Sequence, residues 1–203
     1  MKRILLGLAA TAVITLGGCN EAKKLASEVE GSWSSTPQVL LNDLGSQSNI
    51  VENITFLCDS SDTGGQVIFT GLISTTGSLS GSDAVVQPFE IAASAKSTIA
   101  GKWTAIDDDE IVLSLDIQGM KIDADPSALV ISNNLINSAT ESDPETLQPQ
   151  MAAMVKAALQ RALTTRYATM SKLDDVEIKD KGSVLSFEVG KTDYVYTSQN
   201  PAD

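Results

Sequence analysis

Short apolar runs separated by turn residues dominate the chain between residues 31 and 132. Within these runs apolar and polar residues tend to alternate, and Ser, Thr, Val and Ile are frequent. A period of two places alternate side chains on opposite faces of a β-strand, so the pattern predicts an antiparallel β domain. The predicted strands are 32–34, 50–58, 66–74, 86–94, 97–106, 110–116, 120–124 and 129–132.

Two places in this region carry more specific predictions. Gly64 and Gly65 lie between two apolar runs and can take positive φ, so the segments around Cys58 and Val67 should pair as a hairpin. In residues 111–116 the apolar Ile and Leu residues share one face, while Val, Ser and Asp take the other. One buried and one wet face is typical of an open sheet or a barrel wall.

The period changes after Pro149. Apolar residues between Met151 and Met170 recur at intervals of three and four, a stripe that includes Arg166 and Tyr167. This spacing predicts one long amphipathic helix at about 150–170, which must dock on the sheet or on another chain to bury its apolar face. The strand pattern then returns at 176–179, 184–189 and 194–197.

The start of the chain has the pattern of an export signal. Lys2 and Arg3 precede an uncharged run over 4–16, which is shorter than the roughly 20 apolar residues of a membrane-spanning helix. The residues Leu-Gly-Gly-Cys at 16–19 resemble the lipobox of bacterial lipoproteins. That resemblance implies cleavage before Cys19 and acyl chains on Cys19; an ordinary cleaved signal with a chance cysteine is the alternative. Two or three acyl chains make a durable membrane anchor.

These features divide the chain into three parts: a signal peptide at 1–18, a tether or short solvated helix at 19–30, and one β domain at 31–198 that includes the helix. The expected location is the bacterial cell envelope. Asn20 follows the cysteine, where an enterobacterial aspartate would favour the inner membrane, so the resemblance points to an outer-membrane anchor.

Charge and composition exclude several functions. Without residues 1–18 the chain has 12 basic and 26 acidic residues, a net charge of −14. This charge repels phosphate backbones, so nucleic acid is not an expected partner. The chain contains no histidine, which removes His-dependent nucleophiles and His-ligated metals. We expect no cofactor, no metal site and no catalytic residue.

Two groups are nevertheless candidates for a reactive or metal-binding site. Cys58 is the only thiol besides Cys19, and it alternates with Ile54 and Phe56, so a buried strand residue is favoured over a reactive thiol. The acidic run at 107–110 lacks the glycine and spacing of an EF-hand, so a solvated turn is favoured over a cation site. A carboxylate pair could hydrolyse glycans, but the chain has few aromatic residues on which sugars stack, so an enzyme is not favoured.

Both tryptophans follow a glycine by two residues, in Gly31-Ser32-Trp33 and Gly101-Lys102-Trp103. A glycine permits a bend or a close approach at a strand start, and a tryptophan can plug the end of a barrel. Together with the lipobox and the late helix, these motifs resemble the lipocalin-like lipoproteins of Bacteroidota. The resemblance implies a mainly β fold, an antiparallel lipocalin-like barrel or curved sheet.

Two functions follow as expectations. The first is non-catalytic binding of a small apolar or amphipathic ligand, which requires a concave apolar cavity lined by alternate strand residues and would be weakened by a solidly packed interior. The second is a structural role in which the helix and strand edges contact another envelope protein.

Overall fold

The computed structural model describes residues 18–43, 46–79, 89–124, 130–132 and 144–200. The signal peptide therefore lies outside the described residues, apart from Gly18. The elements in chain order are α1 (Gly18–Val29), β1 (Gly31–Ser35), β2 (Gln38–Asp43), β3 (Ser46–Cys58), β4 (Gly64–Leu79), β5 (Phe89–Ala105), β6 (Ile111–Leu115), β7 (Lys121–Ala124), β8 (Val130–Ser132), α2 (Pro144–Thr169), β9 (Lys172–Lys179), β10 (Val184–Val189) and β11 (Thr192–Ser198).

Eight of these strands form a closed antiparallel barrel. The order around the ring is β1, β11, β10, β9, β6, β5, β4 and β3, and β3 pairs with β1 again to close it. The remaining strands lie off the ring, β2 beside β3 and both β7 and β8 beside β5. The prediction of a mainly β fold with a long helix before the last strands is confirmed, and the sheet is a barrel.

Only part of β3, β4 and β5 belongs to the ring. β1 pairs with β3 from Asn53 to Phe56, and β6 pairs with β5 from Gly101 to Ala105. Beyond these pairings the three strands continue, flanked by β2 on one side and by β7 and β8 on the other. We call this part the sheet extension. Helix α2 contacts β2, β5 and β7, so it spans the open side between β2 and β7.

Large apolar side chains fill the inside of the ring. Each of the following is less than 2% exposed: Trp103, Tyr196, Phe56, Phe69, Phe187, Ile54, Ile99 and Ile111. Within β6, Ile111 and Leu113 are buried while Val112 is exposed, as the alternation predicts. Burial of such side chains is the main stabilising contribution to the fold, at roughly 1.5–3 kcal/mol each.

Helix α1 covers one end of the barrel. Its apolar side chains Ala22, Leu25, Ala26 and Val29 are at most 4% exposed, although the segment was expected to be a tether or a solvated helix. The physical reason is the spacing of these four residues, which places them on one helix face that the barrel end can bury. The packed structure therefore begins within this segment, ahead of Gly31.

The predicted boundaries differ from the structure at several elements. Residues 86–88 lie outside the described residues; from residue 89 onward, the strands expected at 86–94 and 97–106 are one continuous strand, β5. Strand β2 was not predicted. The helix was expected to begin at about residue 150, directly after Pro149. Helix α2 instead begins at Pro144, since proline is tolerated in the first turn of a helix. Neither described helix is long and apolar enough to cross a membrane.

The hairpin between β3 and β4 forms as predicted, but for a different reason. Phe56 pairs with Val67 and Cys58 with Gly65. Asp62 takes the positive φ of 59°, whereas Gly64 and Gly65 are needed for close packing. A Cβ at Gly65 would collide with the carbonyl oxygen of Leu57.

Candidate functional site

A buried carboxylate lies where the ring meets the sheet extension. Glu52 of β3 is completely buried, and its side chain accepts four hydrogen bonds. Tyr167 Oη donates to Oε1 at 2.8 Å, and Tyr196 Oη donates to Oε2 at 2.6 Å. Arg166 donates from Nη2 to Oε2 at 3.0 Å and from Nε to Oε1 at 3.3 Å. We call these four residues the Glu52 cluster.

The surrounding elements hold Arg166 in place. Its Nη2 also donates to Oε1 of Gln38 at 2.6 Å, and its guanidinium carbon lies 5.1 Å from the centre of the Tyr194 ring. Burial disfavours the charge of Arg166, but Glu52 outweighs this effect and raises the pKa of Arg166 above its ordinary value. The arginine is therefore charged at every pH at which the protein is folded.

The two tyrosines are held in their neutral form. Burial raises the pKa of Tyr167 and of Tyr196, and the negative charge of Glu52 raises both further. A neutral phenol is a hydrogen-bond donor, which is the role both residues have toward the carboxylate. The raised pKa values thus preserve the hydrogen bonds of the cluster into alkaline solution.

The Glu52 cluster is arranged for structure and not for proton transfer. A carboxylate has about four acceptor positions, and all four are used by Arg166, Tyr167 and Tyr196. No acceptor position is left for a substrate proton. The cluster instead joins β3, α2 and β11, so it sets the position of the helix over the sheet extension.

A cavity lies between the middle of α2, from Met151 to Arg161, and the inner face of the sheet extension. Its volume is about 260 Å³, and its lining is mainly apolar. The helix contributes Met151, Met154 and Val155, and the strands contribute Leu41 and Ile91. The ring itself is filled by side chains, which counts against a ligand inside the barrel, and this concavity lies outside the ring. We call it the α2 cavity.

Few polar groups line the α2 cavity. Ser48 and Thr75, from alternate inward positions of β3 and β4, hydrogen-bond to one another through their hydroxyls at 2.8 Å. Arg161 of α2 lines the cavity from an exposed position and is the one charged residue of its lining in the described part of the chain. Mainly apolar walls with a small number of polar groups are typical of small-molecule sites.

A second concavity of about 580 Å³ lies mainly on the opposite face of the same strands. Its lining mixes exposed Leu72 with polar groups such as Asn49 and Lys96. Its walls are therefore less apolar and more exposed than those of the α2 cavity.

Most of the residues that the sequence singled out lie near the barrel end that α1 covers and not at the Glu52 cluster. Cys19 lies in the first turn of α1. Trp33 and Trp103 are 3% and 1% exposed near the barrel end that α1 covers, and Trp33 Nε1 donates to the Val29 carbonyl at 2.8 Å. Gly31 has a φ of 134°, and a Cβ at Gly101 would collide with the Ser114 carbonyl oxygen. Both glycines therefore have a backbone role.

Cys58 and the acidic run lie away from the Glu52 cluster. Cys58 packs against the core, and its Sγ lies 3.6 Å from the Ala26 carbonyl oxygen. Burial raises the pKa of this thiol, and Glu30 adds to the effect. The run at 107–110 forms the turn between β5 and β6, closed by a 2.9 Å hydrogen bond from the Ile106 amide to the Glu110 carbonyl. Carboxylates of Asp107, Asp108 and Asp109 lie within 4.8 Å of one another on the surface.

Sequence reasoning missed Glu52 as a functional residue, although a signal was present. The alternation that places Ile50, Ile54 and Phe56 inside the barrel also places Glu52 there, and a charged residue on an inward face demands a partner. The partner was visible as well, since Arg166 belongs to the apolar stripe of α2. The α2 cavity had no comparable signal, because it depends on how the helix sits over the strands.

No protein-family profile, no curated protein and no solved structure matches the chain. The function is therefore inferred from the residues of this chain.

Proposed function

We propose that this protein is a lipid-anchored lipoprotein of the bacterial envelope that binds one small amphipathic molecule in the α2 cavity without catalysing a reaction. The observation that carries the proposal is the cavity itself, about 260 Å³ in volume and walled mainly by apolar side chains of α2 and the sheet extension. Burial of an alkyl chain there would stabilise a complex by about 0.8 kcal/mol for each methylene.

The exposure of the helix supports this assignment. Met154 is 60% exposed although it lies on the apolar stripe of α2, whereas Leu159 and Leu163, farther along the stripe, are at most 1% exposed. The stripe is thus packed at Leu159 and Leu163, whereas Met154 presents apolar surface beside the cavity. An apolar ligand would cover surface that the protein alone leaves to water.

The position of α1 fits a membrane anchor at Cys19. Ala22 is already buried against the barrel end, so only Asn20 and Glu21 separate the anchored residue from the packed structure. Ser48 at the cavity and Cys58 beside α1 are ten residues apart on β3, which corresponds to about 33 Å along an extended strand. The anchored end would face the membrane, and the cavity would lie at the far end of the molecule.

Native mass spectrometry of the protein tests the binding, using a Cys19→Ser variant purified gently from its own host. We expect a discrete added mass that a competing amphiphile displaces. Ala158→Phe, which fills the cavity, should abolish the added mass. Ala153→Phe on the exposed side of the same helix should retain it, provided both variants keep the wild-type Tm. An apo mass at every gentle setting would contradict the proposal and favour an interaction role.

Mass analysis of the N-terminal peptide tests the anchor. Protein extracted from host membranes should begin at Cys19 and carry acyl chains, and the Cys19→Ser variant should leave the membrane fraction. An unmodified N-terminus at any other residue would contradict the lipoprotein assignment while leaving the binding proposal intact.

A further inference from the structure

Two arginines of α2 differ sharply in their surroundings. Arg166 is neutralised by the buried carboxylate of Glu52 at 3.0 Å. Arg161, five residues earlier, lines the α2 cavity, and none of the ion pairs among the described residues includes it. Among the described residues, the cavity lining contains no carboxylate. Arg161 is therefore a cation at the edge of an apolar cavity, without an anionic partner in the part of the chain that the structure describes.

We propose that Arg161 selects an anionic head group, so that the ligand of the α2 cavity is a single-chain amphiphile with a carboxylate at one end. This inference rests on the proposed function of the same cavity. A guanidinium presents a planar set of donors that matches a carboxylate, and a charge-assisted pair of this kind is stronger than a neutral hydrogen bond. The alkyl chain would lie along the methionine and leucine side chains of the cavity.

The volume of the cavity limits the ligand to one chain. At about 260 Å³ the cavity lies just below the range of roughly 300–1,000 Å³ that is usual for small-molecule sites. A two-chain phospholipid needs much more apolar space than one alkyl chain. The exposed position of Arg161 leaves the head group in contact with water, so the charge of the ligand need not be buried.

The overall charge of the protein makes local recognition necessary. The chain has a net charge of −12, so its long-range field repels anions. An anionic ligand therefore gains its preference from contact with Arg161 and not from electrostatic attraction at a distance. The contribution of such an exposed charge falls as salt screens it.

Titration calorimetry of the full mature chain with Cys19→Ser tests the inference, with decanoate and 1-decanol as probes of equal chain length. We expect Kd for decanoate to be about ten-fold lower than Kd for 1-decanol, in line with a hydrogen bond to a charged group. Arg161→Gln should remove this preference and leave binding of 1-decanol unchanged. Lys156→Gln, an exposed cation of the same helix outside the cavity lining, should retain the preference.

The outcomes separate this inference from the proposed function. Equal binding of both probes by the wild type, unchanged in Arg161→Gln, would overturn the role of Arg161 and leave the cavity as a binding site. Binding of neither probe by the wild type would overturn both. If Lys156→Gln loses the preference for decanoate as fully as Arg161→Gln does, the preference comes from the general charge of the helix, and the proposed contact with Arg161 is overturned.

Discussion

Glu52 and Arg166 are 114 residues apart in the chain and meet at 3.0 Å in the interior of the protein. One belongs to the strand at the junction of ring and sheet extension, and the other to the helix that spans the open side. A buried ion pair is costly to desolvate, and its distance and geometry leave little freedom for the two elements to slide. The position of α2, and with it the shape of the α2 cavity, depends on this pair.

Replacement of Glu52 by Gln should strongly destabilise the protein. The change leaves Arg166, whose side chain is 12% exposed, without its counter-charge, and breaking a buried pair costs about 3–5 kcal/mol. Urea unfolding measures the loss. The double variant Glu52→Gln with Arg166→Met should recover most of it, and Glu177→Gln on the surface should unfold like the wild type. An unchanged midpoint for Glu52→Gln alone would show that the pair does not hold the helix.

Stability should fall in alkaline solution because of the two tyrosines of the Glu52 cluster. Their pKa values are raised by burial and by Glu52, so the folded state binds the phenolic protons more tightly than the unfolded state. The contribution of these protons to the free energy of unfolding is complete below the unfolded tyrosine pKa of about 10. It is lost as the pH rises toward the pKa values of the folded state. Free energies of unfolding measured at pH 8 and pH 10.5 should differ less in Tyr196→Phe than in the wild type. An equal difference in the two proteins would contradict this origin.

Substitution of Gly101 by Ala should destabilise the barrel. A Cβ there would meet backbone and side-chain atoms of Ser114 and Leu115 on the neighbouring strand β6, and such overpacking costs about 1–3 kcal/mol. Thermal unfolding measures the change in Tm. Lys102→Ala, at the next and exposed position, serves as the control and should leave Tm nearly unchanged. An unaltered Tm for Gly101→Ala would mean that β5 and β6 separate easily.

Two surface aspartates should respond to amide substitution with opposite signs. Burial and then the neighbouring Asp107 and Asp108 raise the pKa of Asp109, so its ionised form disfavours the fold at neutral pH, and Asp109→Asn should raise Tm at pH 7. The hydrogen bonds from Ser61 lower the pKa of Asp59, so its ionised form stabilises the folded state. This stabilisation is present above the unfolded pKa of about 3.9 and is lost as the pH falls through the folded pKa. Asp59→Asn should therefore lower Tm at pH 7. Both differences should shrink toward pH 3, and shifts of equal sign would contradict these assignments.

The strands and the late helix were predictable because local periodicity reports which side of an element is buried. The alternation in Ile111 to Leu113 and the later part of the stripe, with Leu159 and Tyr167, both appear in the structure with the expected buried faces. The boundaries were less predictable. A break was expected at 95–96, yet β5 runs through it because β4 and β7 both pair with Ala95 and Lys96.

The sequence by itself determined the mainly β composition, the amphipathic helix, the hairpin at Asp62 and the absence of histidine chemistry, because each depends on residues that are near one another in the chain or on residue type alone. Only the tertiary structure decided that β1 closes the ring on β3, that α1 packs on the barrel end, and that α2 encloses a cavity over the sheet extension. The hydrogen bond between Tyr196 and Glu52 was also decided by the tertiary structure, since 144 residues separate the two. Such contacts depend on the relative placement of whole elements, which is set by the packing of many side chains at once. Local periodicity shows that α1 has an apolar face and that Glu52 points inward, but it does not show which partner each one meets.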